Sequence, residues 1–484
     1  MAICGCCSRR RENSERLAYI VYNVYYEHIG DYTIKTIIKY KRSETMDLLQ
    51  GSVNKHFFRY LFPSIGIALS VAIYGFIDTI AIGQGVGPDG AAACAVVLPI
   101  FYLSDFIAGM CGVGGSVLMG NARGEKNPDK ANAYYTAATV MGGVLIAIIW
   151  ILGMVFQDQF YVLFGADDVI FPIAKEYGSI LFIFLPCMAA VVFLDLFIRA
   201  DGSPRITLIS TLIGAGINIV GDYVLVFPLD MGMRGAAIAT VAASVFQALF
   251  LITFILMKKT KLKFVKPLKW LKAFRRIAST GFGSAIGALS IMVVSLIANN
   301  QIMTYLGDTA LAIYGILATI SATFMDIFVG VGESVQPLAS QNYGAGKNDR
   351  CIKALYIGLK TTALLGLVFA AICMIFPNQT MWLFVDMTPE ITEMAPYILR
   401  VYCASYLPMA INVFMVFYLQ SVGQRHKATI ISLSRGLVTS SVLLLLFPVF
   451  FGGDGVWWAV LVAEIITLVI TVIFTMITKK AMKA

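Results

Sequence analysis

The chain has 484 residues, of which 58% are hydrophobic and only 13% charged, and its mean hydropathy is +0.79. A soluble globular protein carries roughly 25% charged residues, so this composition excludes a disordered chain, a fibre, a coiled coil and an ordinary soluble enzyme. The net charge of +9 is concentrated in short loops and one tail, which fits attraction to anionic lipid head groups and argues against nucleic-acid binding.

Residues 1–50 read as a tail on the cytoplasmic side. Leu17 to Tyr26 is apolar and tyrosine-rich but too short to cross a bilayer. Cys4, Cys6 and Cys7 cluster with His28 as the nearest histidine. That is too few ligands for a metal site, although lipidation is compatible with the cluster. No apolar segment with a small-residue cleavage site opens the chain, so no cleavable signal peptide is expected. Removing residues 1–45 is expected to leave insertion and transport nearly intact.

A spanning helix needs about 20 mostly apolar residues. Twelve such runs follow, at roughly 56–83, 90–119, 132–156, 172–198, 206–227, 235–257, 277–304, 310–339, 351–376, 393–420, 428–449 and 455–478. They predict an all-α polytopic membrane protein with a first lobe at 51–257, a basic linker at 258–276, a second lobe at 277–478 and a short tail at 479–484. Turn residues such as Asp201-Gly-Ser-Pro204 and Gly452-Gly-Asp-Gly455 separate the runs. Of the 37 lysines and arginines, 32 fall on the two ends and the even-numbered loops, Arg199 and Arg205 among them. The opposite side holds only Lys175 and Arg234. The positive-inside rule therefore puts both termini in the cytoplasm.

The chain also repeats itself. At an offset of 221, Asp105 falls on Asp326, Gly109 on Gly330 and Lys126-Asn127 on Lys347-Asn348. At 220, Phe227-Pro228 falls on Phe447-Pro448. Six spans per half is an even number, so the halves share one orientation and a pseudo-two-fold axis along the membrane normal is expected. In transporters built this way, substrate passes between the halves.

An ionisable group inside a bilayer is expensive and marks a functional candidate. The spans contain Asp78, Asp105, Asp195, Asp222, Asp326, Glu333 and Glu464. Asp78, Asp222 and Thr240 are predicted at one depth, roughly 7–8 Å below the outer helix ends at about 1.5 Å per residue. Asn218 lies one turn before Asp222 on the same face. Two carboxylates, a carboxamide and a hydroxyl are oxygen donors suited to a hard cation such as Na+, or to a shared proton. The bland alternative is interhelical hydrogen bonding. At the repeat offset Asp78 falls on Asn299 and Asp222 on Val442 or Leu443, so a cation site is expected in the first half only. Asp105, Asp326 and Glu333 are possible cavity acids, and Glu333 and Glu464 have no evident partner. His56 and His426 are not expected to be ligands. Residues 258–276 are expected to be solvated and lipid-facing. Gly112-Val-Gly-Gly115 sits within a helix and reads as a close-packing segment. No Walker motif, nucleophile–His–acid set or catalytic residue is identified, and no cofactor is called for.

The segments GFIDTIAIGQ (75–84), GVGGSVLMGNARGEKN (112–127), RADGSPR (199–205), NIVGDYVLVFPLDMGMRGAAIAT (218–240) and GVGESVQPLASQNYGAGKN (330–348) resemble the multidrug and toxic compound extrusion (MATE) family. The resemblance covers about 55–478. It implies twelve helices in two lobes around a central cavity. It also implies alternating-access export of cationic or amphipathic drugs and toxic organic compounds in exchange for Na+ or H+, from the plasma membrane. It places the first-lobe cation site on Asp78, Asn218, Asp222 and Thr240. The region 299–301 reads Asn-Asn-Gln, where some members carry an acid. The expected partners are small-molecule substrates and membrane lipids, with the protein a monomer. The alternative is a flippase for lipid-linked oligosaccharides or peptidoglycan precursors in the same superfamily. Such anionic substrates would want several basic residues facing the cavity, and only Lys360, Arg400 and Arg435 are candidates.

Overall fold

The computed structural model describes residues 47–483 apart from 267, 268, 383 and 386. Cys4, Cys6, Cys7 and most of the predicted tail lie outside the described residues. Among the described residues, twelve helices are long and apolar enough to cross a membrane. The first six are α1 (Val53–Gly85), α2 (Pro88–Gly124), α3 (Pro128–Val155), α4 (Ile170–Ala200), α5 (Pro204–Val226) and α6 (Gly232–Leu256). The second six are α7 (Trp270–Tyr305), α8 (Asp308–Gly344), α9 (Asn348–Ile375), α10 (Pro389–Ser421), α11 (Arg425–Phe451) and α12 (Asp454–Lys483). They form two six-helix lobes. Along α12, Ile465, Val469, Val472, Ile473 and Met476 are exposed at helical spacing, the surface expected of a helix facing lipid.

Local chemistry sets the boundaries. The Ser52 hydroxyl accepts from the Lys55 N–H at the start of α1, and Asn127 does the same for Lys130 at α3. Proline occupies the first turn of α2, α3 and α5, where a missing N–H costs nothing. The α1–α2 and α7–α8 turns pass through Gly87 (φ 99°) and Gly307 (φ 79°). These positions are repeat mates, and both have a backbone that a side chain would strain. Two short helices that hydropathy could not reveal, Gln157–Leu163 and Pro377–Trp382, are also repeat mates. Helix α7 begins at Trp270 rather than at the expected 277. Helix α10 is interrupted at Ala404–Ser405, and α11 contains a π turn at Ser434–Val438.

The lobes meet at the ends that carry the termini, and there the first helix of each half enters the other half's core. Phe57 and Tyr60 of α1 are fully buried in one cluster with Val335 and Leu338 of α8 and Phe414 of α10. Reciprocally, Ile277 and Ala285 of α7 share a cluster with Phe197 of α4 and Phe254 of α6. The α2–α7 crossing is a backbone contact: a Cβ on Gly281 would stand 1.9 Å from the Met110 carbonyl oxygen, and one on Gly114 would stand 2.2 Å from that of Ile277. No side chain fits between them. Gly281→Ala should therefore force the two backbones apart at a cost of about 1–3 kcal/mol. A fall of several degrees in the thermal unfolding midpoint is the expected reading, and an unchanged midpoint would contradict this close approach.

The stretch read as a solvated linker is partly strapped down. The Lys261, Lys263 and Val265 N–H groups donate to Asp201 (3.0 Å), Asn132 (3.1 Å) and Thr136 (3.0 Å). At the other end of the described chain, Arg350 donates to the Gly51 and Leu48 carbonyls (2.7 and 2.9 Å) and Lys347 to that of Leu49 (2.8 Å). The segment leading into α1 is thereby tied to the start of α9.

Candidate functional site: a carboxylate pair in the first lobe

The four members of the predicted site come from three helices. Asp78 is near the end of α1, Asn218 and Asp222 share a face of α5, and Thr240 lies two turns into α6. Helix α5 packs between α1 and α6, which brings these faces together. Asn218 is 2% exposed and Asp222 is fully buried. The Asn218 amide donates to the Thr240 hydroxyl over 3.3 Å. Asp78 and Asp222 are electrostatic neighbours, and Tyr177 of α4 and Cys94 of α2 stand beside them. The sequence did not single out Tyr177 or Cys94. They are uncharged residues on two further helices, and no spacing links them to the acids.

The hydrogen-bond accounting is unusual. Asp78 Oδ1, Asn218 Oδ1 and both carboxylate oxygens of Asp222 are buried and accept from no N–H or hydroxyl group, the two carboxyls lying within hydrogen-bonding reach of each other. Buried acceptors in native proteins are nearly always paired, and a lone buried carboxylate is more costly still. Buried oxygens of this kind, three of them on two neighbouring carboxyls, are the donor type that suits a small hard cation, or a proton held between two acids. At the matching place in the second lobe, Asn299 is exposed and Val442 and Leu443 carry no polar group.

The remaining predicted acids divide into two groups. Asp105 and Asp326 are exposed on α2 and α8, and both lie within electrostatic reach of Tyr74 and Tyr102. Both acids therefore lie near the same two tyrosines of the first lobe, Tyr74 on α1 and Tyr102 on α2. Glu333 requires a correction, because it is no free cavity acid. It pairs with Arg199, which also pairs with Asp195 one turn earlier on α4 and donates to the Ser64 hydroxyl (3.4 Å). Arg199, counted by the sequence reading as a loop residue, is 4% exposed within α4. Glu464 also has partners, Arg435 (2.8 Å) and Asn412 (2.9 Å). Among the described residues, no group of three or more His, Cys, Asp or Glu could hold a metal.

Comparison with known proteins gives three findings. The family model described as MatE matches twice, at residues 63–224 and 284–445, and the two matches begin 221 residues apart, the offset of the internal repeat. The multidrug export protein MepA of Staphylococcus haemolyticus is 30% identical over 418 residues, covering 86% of this chain and 91% of that protein. MepA of Staphylococcus aureus MSSA476 is 29% identical over 411 residues, covering 83% and 88%. Among solved structures, an outward-facing multidrug resistance MATE family transporter of the MOP superfamily aligns with a TM-score of 0.84 at 21% identity, over 92% of this chain and all of that one. A MOP superfamily transporter from Pyrococcus furiosus aligns at 0.85 and 20%, with the same coverage.

Proposed function

This chain belongs to the MatE family of multidrug efflux transporters, and we propose that it exports amphipathic organic cations in exchange for Na+ or H+ by alternating access. The observation that carries this reading is the set of four buried, unmatched oxygens on Asp78, Asn218 and Asp222. In the proposed cycle, a cation or proton taken there changes the relative stability of two lobe arrangements, and the bound drug is released outward as the arrangement shifts. An ion can drive such a change only through different affinities for the two states. A buried, charge-rich site supplies that difference, because occupying it relieves repulsion and unsatisfied polarity.

The exposed acids Asp105 and Asp326 give the inter-lobe space a negative lining suited to cationic drugs. They disfavour the flippase reading, whose anionic substrate would meet them directly. Sealed vesicles with an imposed sodium or proton gradient, applied one at a time, test the proposal through export of a fluorescent cation. Export under neither gradient would overturn it.

The charge asymmetry assigns both termini, and with them the closed ends of the lobes, to the cytoplasm. In a cysteine-free background, single cysteines at 87 or 308 should react with an impermeant reagent from outside. Cysteines at 126 or 347 should react only after the membrane is opened. Labelling of 126 in sealed cells would reverse the orientation.

A further inference from the structure

The second lobe lacks the carboxylate pair, yet it encloses a cavity of about 210 Å³ walled by Val294, Tyr314, Met325, Tyr402, Met409 and Phe417, with Arg435 and Glu464 at its polar end. The rim is open at Ile291, which is 46% exposed. We propose that this cavity is a binding site for the carboxylate of a small aromatic amphiphile, held by Arg435.

The hydrogen bonds decide the polarity. Both Glu464 oxygens are engaged: Oε1 accepts from Arg435 Nε (2.8 Å) and Oε2 from Asn412 Nδ2 (2.9 Å). Arg435 is not saturated. Beyond Nε, its one hydrogen bond among the described residues is from Nη2 to the Met325 sulfur at 3.5 Å, and sulfur is a weak acceptor. Its side chain keeps 15% accessibility and lines the cavity. The outer edge of the guanidinium, with no oxygen of the protein engaged, is left for an occupant of that cavity, and a planar guanidinium fits a carboxylate in bidentate fashion. Glu464 balances the charge of Arg435 and fixes its orientation without competing for the outer edge.

The backbone supports the same reading. Arg435 lies within the π turn at Ser434–Val438, a distortion that recurs at functional sites because it re-aims side chains. The Ser440 hydroxyl caps the Arg435 carbonyl that the turn releases. At the repeat offset, Arg435 falls on Ala215 or Gly214 of α5, so the two lobes differ in polarity at corresponding helices. The size also fits, since an apolar cavity of roughly 150 Å³ admits a benzene ring, and this one admits a bicyclic ring.

The probes are 1-naphthaleneacetate and its methyl ester, titrated against the purified full chain in lipid nanodiscs and read by naphthalene fluorescence. The acid should bind at least about tenfold more tightly than the ester. Two variants locate the site. Gly287 lines the cavity, and a Cβ there would meet nothing within 4 Å, so Gly287→Leu adds bulk at the cavity wall and should weaken acid binding at least about tenfold. Arg435→Lys keeps a cation beside Glu464 but loses the fork, and should abolish the preference for acid over ester. Should Arg435→Lys fail to fold, Gly287→Leu still decides. Equal binding of acid and ester, or acid binding that survives Gly287→Leu, overturns the proposal. Because the readout is equilibrium binding, neither outcome depends on which ion drives transport.

Discussion

Asp222→Asn is expected to reduce ion-driven export to background, a loss of at least about a hundredfold, while the protein remains folded. The reason lies in what the substitution changes and what it keeps. Asp222 is fully buried, and neither carboxylate oxygen accepts from an N–H or hydroxyl group; its partner is the Asp78 carboxyl. An asparagine has nearly the same shape, so packing between α1, α5 and α6 should survive. Its amide can donate to the unmatched Asp78 oxygen, so the variant satisfies part of the polarity that the native site leaves open. The charge, however, is gone. One carboxylate no longer provides the oxygen-rich, doubly acidic site that separates occupied from empty states, and the ion loses its leverage over the lobes. The expected signature is therefore an unchanged or raised unfolding midpoint together with lost transport under either gradient and retained drug binding. Asn299→Ala, at the repeat-related position, should be mild, because Asn299 is exposed and outside any comparable cluster. Wild-type export by Asp222→Asn, or a larger defect from Asn299→Ala, would remove the single-lobe site.

These residues were legible in the sequence because acids are rare in apolar runs and because the repeat supplied an internal control. Asp78 and Asp222 stood out by lacking mates, while Asp105 and Asp326 stood out by having them. The features that stayed hidden depend on distance in the chain or on backbone irregularity. Glu333 and Arg199 lie 134 positions apart, so no local pattern joins them, and reading Arg199 as a loop residue hides the i,i+4 pair it makes with Asp195 as well. The RADGSPR segment suggested a loop at Arg199, whereas α4 runs through to Ala200 and withdraws the charge from solvent. Phe57 and Tyr60 read as apolar helix positions, but nothing in periodicity says that α1 buries them in the other lobe. The basic stretch after α6 read correctly as charged. Its docking depends on backbone N–H groups meeting Asn132, Thr136 and Asp201, and charge patterning is blind to those contacts. The π turn that carries Arg435 leaves no signature in hydropathy.

The second large effect is expected at Arg199. This residue joins the lobes through Glu333 of α8 while remaining bonded within its own lobe to Asp195 one turn earlier and to Ser64 of α1. It sits in the region where Gly120 and Gly124 of α2 abut Ser340 and Gln341 of α8, so opening this side of the protein must break the Arg199–Glu333 pair. Glu333→Gln removes one charge but leaves Arg199 compensated by Asp195. The closed arrangement should lose about 1.4 kcal/mol, which corresponds to a tenfold shift in population. Arg199→Met is a harsher change. It leaves the half-buried Asp195 and Glu333 near each other with no cation, and the cost should approach about 3 kcal/mol, the low end for breaking a buried pair. Amide hydrogen exchange over 336–346 should rise about tenfold in Glu333→Gln and further in Arg199→Met. Peptides around Asp222 should stay at native protection in Glu333→Gln, because that cluster does not share this contact. Exchange at 336–346 that is unchanged in both variants would mean that the glycine contacts alone hold the seam. A uniform rise across the whole chain would mean that the pair sustains the fold rather than the closure of the two lobes.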